Sequence, residues 1–353
     1  MYNLTRVSPS GDTSVYSGNH PGELPLPAPF REAMREFECQ LEESLHEQGD
    51  YLSESDKALY RKGKRVRPKL LLLFALLCHP QELAPSLSSK VIGGAVSLEM
   101  LHVATLIHDD IIDAAAVRRG HETIYARQGT EMAILIGDLQ FVQAIRKFTQ
   151  LIENAHDLQL VQQVLDTGME LCKGEIDELK VDPGVSDLLS LESRYMRTID
   201  RKTARLISVS CRAGAALVNG SRRACWYAGQ FGQKIGLAFQ IMDDLKDLIQ
   251  DLETAGKKPG TDLARKRVTL PHIYALPEFG PDHILHRLLA DRGYEPSPEE
   301  LEEARHAVLH SSGMVQAYSK ARELVLDAVE LLQLFPPGPY CSEIERMARS
   351  ILE

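Results

Sequence analysis

Tryptophan occurs once in this chain, and aromatic residues of all kinds make up only 6% of it. With 44% apolar and 25% charged residues, that shortage suits a Leu, Ala, Ile and Val core packed between long helices. Basic charge is also in deficit: the net charge is −10 over 353 residues. This argues against a nucleic-acid surface and leaves any anionic ligand to a local basic cluster or a metal ion. The six cysteines are scattered, no two forming a CxxC pair, and no secretory signal precedes them, so a reduced, cytoplasmic setting is expected. No apolar run is longer than the nine residues from Leu70 to Cys78. A bilayer span needs roughly 18 to 20, so no transmembrane segment is expected. No Pro/Gly/Ser-rich linker divides the chain after residue 30, and no alternating apolar pattern bounded by hairpin turns stands out, so strand content should be near zero.

What is present is helical periodicity. Residues 1 to 29, rich in Ser, Gly, Pro and Asn, read as a flexible tail, and residues 30 to 353 as one domain. Apolar residues recur at helical spacing over about residues 30 to 48, 67 to 78, 86 to 113, 130 to 151, 157 to 181, 188 to 217 and 221 to 250. Shorter helices should follow. The predicted fold is an all-α, single-domain, multi-helix bundle, with 86 to 113 and 221 to 250 as its buried central helices.

Two copies of one acidic spacing carry the chemistry: DDIID at Asp109 to Asp113 and DDLKD at Asp243 to Asp247. In each, the first and last aspartates are four residues apart, so a helix projects both from one face, about one turn apart. A lone DDxxD is commonly a solvated helix face. Here each copy ends a mostly apolar helix, where its carboxylates repel one another and oppose the helix dipole. A cation between them removes both costs. Magnesium takes oxygen ligands and is usually held by one or two carboxylates together with substrate phosphates. Asp109, Asp110, Asp113, Asp243, Asp244 and Asp247 are therefore the candidate metal residues of a phosphate-handling enzyme.

The run RKGKRVRPK, Arg61 to Lys69, has six basic residues among nine. Pro68 sits near a helix start, just ahead of Leu70 to Leu77, and basic side chains beside a helix N-terminus suit a diphosphate. Arg118 and Arg119 follow Asp113 closely enough to clamp phosphate oxygens. Lys202, Thr203 and Gln240 are individually unremarkable.

Taken in order, GKRVRP, LHVATLIHDDIIDAAAVRRG, the Lys202-Thr203 pair, FQIMDD and KPGTDLARKRVTLP resemble the trans-isoprenyl diphosphate synthases of the polyprenyl synthetase family. The resemblance runs from about residue 60 to 275, with a looser echo at SSGMVQAYSKA. It implies antiparallel helices around a deep central cavity, the isoprenoid synthase type of fold, paired as a homodimer. It also implies three Mg2+ ions held by the two acidic motifs on an allylic diphosphate. Lys64, Arg67, His102 and Arg119 match positions that bind isopentenyl diphosphate. Arg118, Lys202, Lys257 and Arg267 match those that bind the allylic diphosphate, and Thr203 and Gln240 match polar groups that steady the forming cation. By this resemblance Lys202, Thr203 and Gln240 are the catalytic candidates.

The chain departs from the family pattern at four places. The usual GGKR reads Lys62-Gly63-Lys64-Arg65, RRGxPT reads Arg118 to Thr123 with Glu122 in the proline position, and the lysine of GKxTLP is Arg267. Lys258-Pro259 also shifts the proline of GKPxGxD by one residue.

Leu101, Ala104 and Thr105 precede Asp109 by eight, five and four residues and are expected to line the cavity below the metal site. In short-chain members an aromatic near the fifth position blocks the tail; here that place is small. The expected product is therefore longer than twenty carbons, in the thirty-to-forty range, with transient membrane contact for product release. The alternatives are a short-chain farnesyl or geranylgeranyl diphosphate synthase, and a non-catalytic subunit of a heteromeric prenyl synthase, although such subunits typically lose acidic motifs. A terpene cyclase would pair one aspartate-rich motif with an Asn/Ser/Glu motif. A di-iron bundle would need two buried Glu-x-x-His pairs, and only Glu99/His102 lies in an apolar helix.

Overall fold

The computed structural model describes residues 27–61, 63–79, 85–118, 120–179, 188–249, 260–290 and 293–353. Of the predicted tail, only residues 27–29 fall among these, and they already lead into α1 (Ala28–His46). A short α2 (Glu54–Arg61), which the periodicity did not reveal, follows. The long apolar patterns become α3 (Val66–Cys78), α4 (Pro85–Ile112), α5 (Ile124–Thr149), α6 (Ala155–Leu179), α7 (Leu188–Ile199), α8 (Arg205–Leu217) and α9 (Arg222–Ile249). After these come α10 (Thr261–Ala264), α11 (Leu270–Ala275), α12 (Ile284–Ala290), α13 (Pro298–His310), α14 (Gly313–Leu332) and α15 (Pro339–Arg349). The last group is less uniformly short than expected, because α14 runs for 20 residues and packs along α9. Among the described residues, strand is confined to the two-residue pair β1 (Val117–Arg118) and β2 (His121–Glu122).

Three helices form the inner layer. Every side chain of α3 from Leu70 to Leu77 is buried, the mark of a helix enclosed on all sides. It packs on α8, which packs on α9, while α4 lies along α5. The α3–α8 contact is close because Gly214 has no side chain: a Cβ there would come within 2.1 Å of the Leu71 carbonyl oxygen. Gly236 plays the same part where α9 crosses Ala204, whose Cα would lie 2.5 Å from an added Cβ.

Within α4, Ser88–Ile112 is long and apolar enough by length and composition to cross a membrane, although no continuous apolar run suggested it. Its most apolar window is 72% buried inside the bundle, which is how a core helix of such composition is satisfied. Lys90, near its start, is buried against Asp157 at 2.7 Å and Glu153 at 2.9 Å.

The predicted single helix over 188 to 217 is interrupted. Asp200–Ala204 forms a π-helical turn between α7 and α8. Such a turn inserts one extra residue into the helical register, and it commonly marks a functional position. Periodicity alone reads straight across it, because both flanks are helical and each keeps an apolar face of its own.

His272 fixes the start of α11, accepting at Nδ1 from the Thr269 backbone N–H at 3.2 Å while the Thr269 side chain completes a capping box. It is fully buried, and burial pushes its pKa down to about 4. An unfolded-chain histidine titrates near 6.5. The folded state therefore resists a proton that the unfolded state takes up, so stability is complete above pH 6.5 and falls as pH drops towards 4. Urea unfolding at pH 5 should give a stability on the order of 2 kcal/mol below that at pH 7.5 from this group. His272→Asn should flatten that part of the pH dependence; an unchanged profile would show that His272 does not cause it.

Candidate active site

The C-terminal ends of α4 and α9 open onto one cavity of about 1250 Å3. Asp109 and Asp113 reach it from α4 and the turn after it, and Asp243, Asp244 and Asp247 reach it from α9. Two motifs separated by more than a hundred residues thus share one space. Lys64, Arg67, His102, Arg118, Lys202, Thr203, Gln240 and Arg267 line the same cavity. Its apolar wall is formed by Leu106, Phe141, Val142, Leu171, Ile176 and Phe239. Arg119 and Lys257 lie outside the described residues.

The carboxylates are crowded and dry. Burial, reinforced by Glu175, pushes Asp109 up to about 7, with Lys202 opposing the shift. Asp244 is buried with Asp262 nearby, and its carboxyl is held well above the usual range. It accepts hydrogen bonds from the Tyr195 hydroxyl at 2.6 Å and from Gln240 Nε2 at 2.8 Å. Asp262 is itself pushed up to about 7, first by burial and then by Asp247. The backbone N–H of Asp262 donates to Asp247 Oδ2 at 3.1 Å, so α10 is tied directly to the second motif.

Cations hold this cluster together. Arg267 reaches Asp113 at 2.5 Å, Glu178 at 3.5 Å and Asp262 at 3.8 Å, linking the surroundings of the two motifs. Arg265 makes a second bridge to Asp113 at 2.7 Å. Lys202, placed by the π turn, sits between Glu175 at 2.7 Å and Glu178 at 2.6 Å. Beside it, Thr203 Oγ1 donates to Gln240 Oε1 at 2.7 Å, joining the π turn to α9. Asp110 does not line the cavity; it is buried and accepts from Arg118 Nε at 2.6 Å. Arg118 owes its position to the β1–β2 pair, whose turn includes Gly120 at φ 79°, a conformation open to glycine.

The basic run divides by role. Lys64 is exposed on the cavity rim, whereas Arg65 turns inward at φ 53° and is buried. Its guanidinium spans Glu38 on α1, at 2.8 Å, and the buried Glu99 on α4, at 2.9 Å. Arg65 thus fastens the loop that carries Lys64 and the first turn of α3, which carries Arg67. Glu99 is thereby occupied, which removes it from the Glu-x-x-His reading.

The floor expectation needs correcting. Thr105 lines the cavity, but Leu101 and Ala104 are fully buried and do not. At about 100° per residue, Thr105 lies within about 40° of Asp109 around α4, while Ala104 is turned about 140° away and Leu101 about 80°. Four residues back shares the face; five does not. The wall opposite is supplied by α5, α6 and α9, through Phe141, Leu171 and Phe239. Sequence reasoning also missed Tyr195, Glu175, Glu178, Asp262 and Arg265. Asp262 and Arg265 sat within the KPGTDLARKRVTLP stretch, but Tyr195 and the two glutamates had no motif to mark them.

Among the described residues, no three Asp, Glu, His or Cys side chains converge closely enough to enclose a metal ion by themselves. The donor set still fits a hard divalent cation: carboxylates pushed towards protonation by burial and mutual repulsion are relieved when such a cation binds, and phosphate oxygens complete its shell.

The family described as polyprenyl synthetase matches residues 50–308. The chain is 32% identical over 327 residues to nonaprenyl diphosphate synthase of Mycobacterium tuberculosis, covering 92% of this chain and 93% of that protein. It is 31% identical over 320 residues to heptaprenyl diphosphate synthase component 2 of Bacillus subtilis, covering 89% and 86%. The fold matches heptaprenyl diphosphate synthase from Staphylococcus aureus with a TM-score of 0.80 at 24% identity, covering 92% of this chain and 98% of that one. It also matches a polyprenyl synthase from Caulobacter crescentus, complexed with calcium and isoprenyl diphosphate, with a TM-score of 0.78 at 23% identity, covering 92% and 96%.

Removing the Tyr195 hydroxyl leaves a buried carboxyl short of a donor. Tyr195→Phe should lower stability by about 1–3 kcal/mol, measured by denaturant unfolding at pH 7. A midpoint equal to wild type would mean that Asp244 does not depend on Tyr195.

Proposed function

From the premise that this chain is a prenyltransferase belonging to the polyprenyl synthetase family, we propose that it is a trans-polyprenyl diphosphate synthase. It would condense isopentenyl diphosphate head-to-tail with an allylic diphosphate and make products longer than C20. The observation that carries this reading is the meeting of two acidic motifs over one cavity with an apolar wall. The family uses a divalent metal. Here Mg2+ is proposed, three ions being expected, with Asp109, Asp113 and Asp243 as the principal holders and Asp110, Asp244 and Asp247 in support. When bound, the metal neutralises diphosphate charge and makes it a better leaving group.

The residues divide the remaining work. Lys64, Arg67, His102 and Arg119 are assigned to isopentenyl diphosphate, and Arg118, Lys202, Lys257 and Arg267 to the allylic diphosphate. Arg118, Lys202 and Arg267 face acidic partners in this structure, and they exchange those partners for phosphate oxygens when substrate binds. The allylic C1–O bond breaks and pyrophosphate leaves with the electron pair. The isopentenyl double bond attacks C1, and a proton then departs from C2, with pyrophosphate as its acceptor. The hydrogen-bonded oxygens of Thr203 and Gln240 face the cation, and the apolar wall keeps water from it.

The cavity wall and the relatives' names both bear on product length. Several relatives carry names that count seven or nine prenyl units. Thr105, Phe141 and Phe239 are the wall positions best placed to limit the tail. A component in a heteromeric enzyme is the second reading, favoured by the Bacillus subtilis relative's being named a component.

A homodimer is the proposed assembly. Leu135, Val142, Leu158, Leu165, Met169 and Ile176 on α5 and α6 are each at least 43% exposed. On α6 their spacing is seven, four and seven residues, the seam of helices that pack on helices. Val142 and Ile176 also line the cavity, so a second copy on this face would close its side. The six free cysteines accord with the proposed reduced cytoplasmic setting, and release of a long apolar product would bring transient membrane contact.

Purified protein incubated with Mg2+, labelled isopentenyl diphosphate and separate C5, C10, C15 and C20 primers should yield long polyprenyl diphosphates. Asp109→Asn or Asp243→Asn should lower turnover by about 100-fold or more. Thr105→Phe should shorten the product and Phe141→Ala lengthen it, read by chromatography. No condensation with any primer, alone or with a partner subunit, would sink the reading. Met169→Glu with Leu165→Glu should halve the mass seen by light scattering; an unchanged dimer would place the interface elsewhere.

A further inference from the structure

A second cavity, of about 320 Å3, lies between the N-terminal halves of α6 and α9 and the C-terminal half of α8. It is remote from the acidic site: Trp226 and Asp243, on the same helix, are separated by about 25 Å of rise. Its lining includes Arg212, Arg222, His156, Gln163 and Trp226, and no carboxylate, in a chain whose net charge is −10. The nearest acids in sequence, Glu153 and Asp157, are turned onto Lys90. Among the described residues, neither Arg212 nor Arg222 makes an ion pair. His156 Nε2 and Gln163 Oε1 are buried there without a hydrogen-bond partner. An amide rotated by half a turn would present a donor at the Gln163 position. The starts of α6 and α9 meet at this place and contribute positive potential, set against the C-terminal end of α8. Two forked guanidinium groups beside an imidazole suit a tetrahedral oxyanion better than a single-charge carboxylate.

We propose that this cavity is a binding site for a phosphate-type anion, separate from the substrate cavity, with Arg212 and Arg222 as its principal contacts and His156 as a third. Trp226 forms its outer wall and is half exposed. As the chain's single tryptophan, it reports on this site by its own fluorescence. The inference does not rest on the prenyl-transfer reading, because no residue of the acidic cavity takes part.

The full chain, without Mg2+, is titrated with inorganic phosphate and separately with pyrophosphate, each against chloride at matched ionic strength. A saturable change in Trp226 emission with at least one of the two is expected, and comparing them tells which anion the cavity prefers. Arg212→Gln with Arg222→Gln should weaken it by at least about 10-fold, while Arg212→Lys with Arg222→Lys, which keeps the charge and loses the fork, should weaken it less. Asp109→Asn with Asp243→Asn should leave it intact. Circular dichroism checks that each variant is folded. The proposal is overturned by no saturable change, by an equal response to chloride, by survival of the response in the folded glutamine variant, or by its loss in the aspartate variant.

Discussion

Carboxylate crowding at the mouth of one apolar cavity is the constraint on which the rest of this structure depends. Asp109, Asp113, Glu175, Asp243, Asp244, Asp247 and Asp262 all face the same space, with Glu178 beside them on Lys202 and Arg267, and burial drives Asp109 and Asp262 towards neutrality. Left alone, such a cluster would push the helices that carry it apart. Lys202, Arg265 and Arg267 hold it in place through bridges from different elements. The cations that keep the site folded are therefore largely those proposed to receive diphosphate. Stability and binding draw on one set of charges, so the site exchanges partners and need not create new ones.

The bundle delivers these charges with little freedom. Burial of α3 over its whole apolar length fixes α8, and α8 meets α9 through glycines that let the backbones approach. Arg65 pins the basic loop to α1 and α4 at once. Because each contact leaves little slack, the side chains at the mouth occupy positions set by the core.

Much of this was legible in the sequence, for identifiable reasons. The helices of the inner layer announced themselves because their apolar faces are long, and the two DDxxD motifs because repetition after apolar segments is hard to explain otherwise. Arg118 was marked by its place just after the first motif, whereas Lys202, Thr203 and Gln240 became visible only through resemblance, since each is an ordinary residue until the fold brings it to the cavity. The failures are equally physical. Ala104 was misplaced because five residues is not a helical repeat. The break at Asp200–Ala204 was invisible because helical periodicity resumes on both sides of it, and nothing local marks the one-residue insertion. Tyr195, Glu175 and Glu178 act by meeting partners far away in the chain, and local sequence does not encode that.

The turn at Asp200–Ala204 works as a phase joint. In the rod from residue 188 to 217, α7 packs on α6, α9 and α11 while α8 packs on α3, α4, α6 and α9, and the joint lets each half keep its own angular alignment. Changes to the packing of the lower half can accumulate without rotating the upper half out of true. Lys202 and Thr203, the two residues of this stretch that line the cavity, belong to the joint itself, so their aim is set apart from the packing of either half.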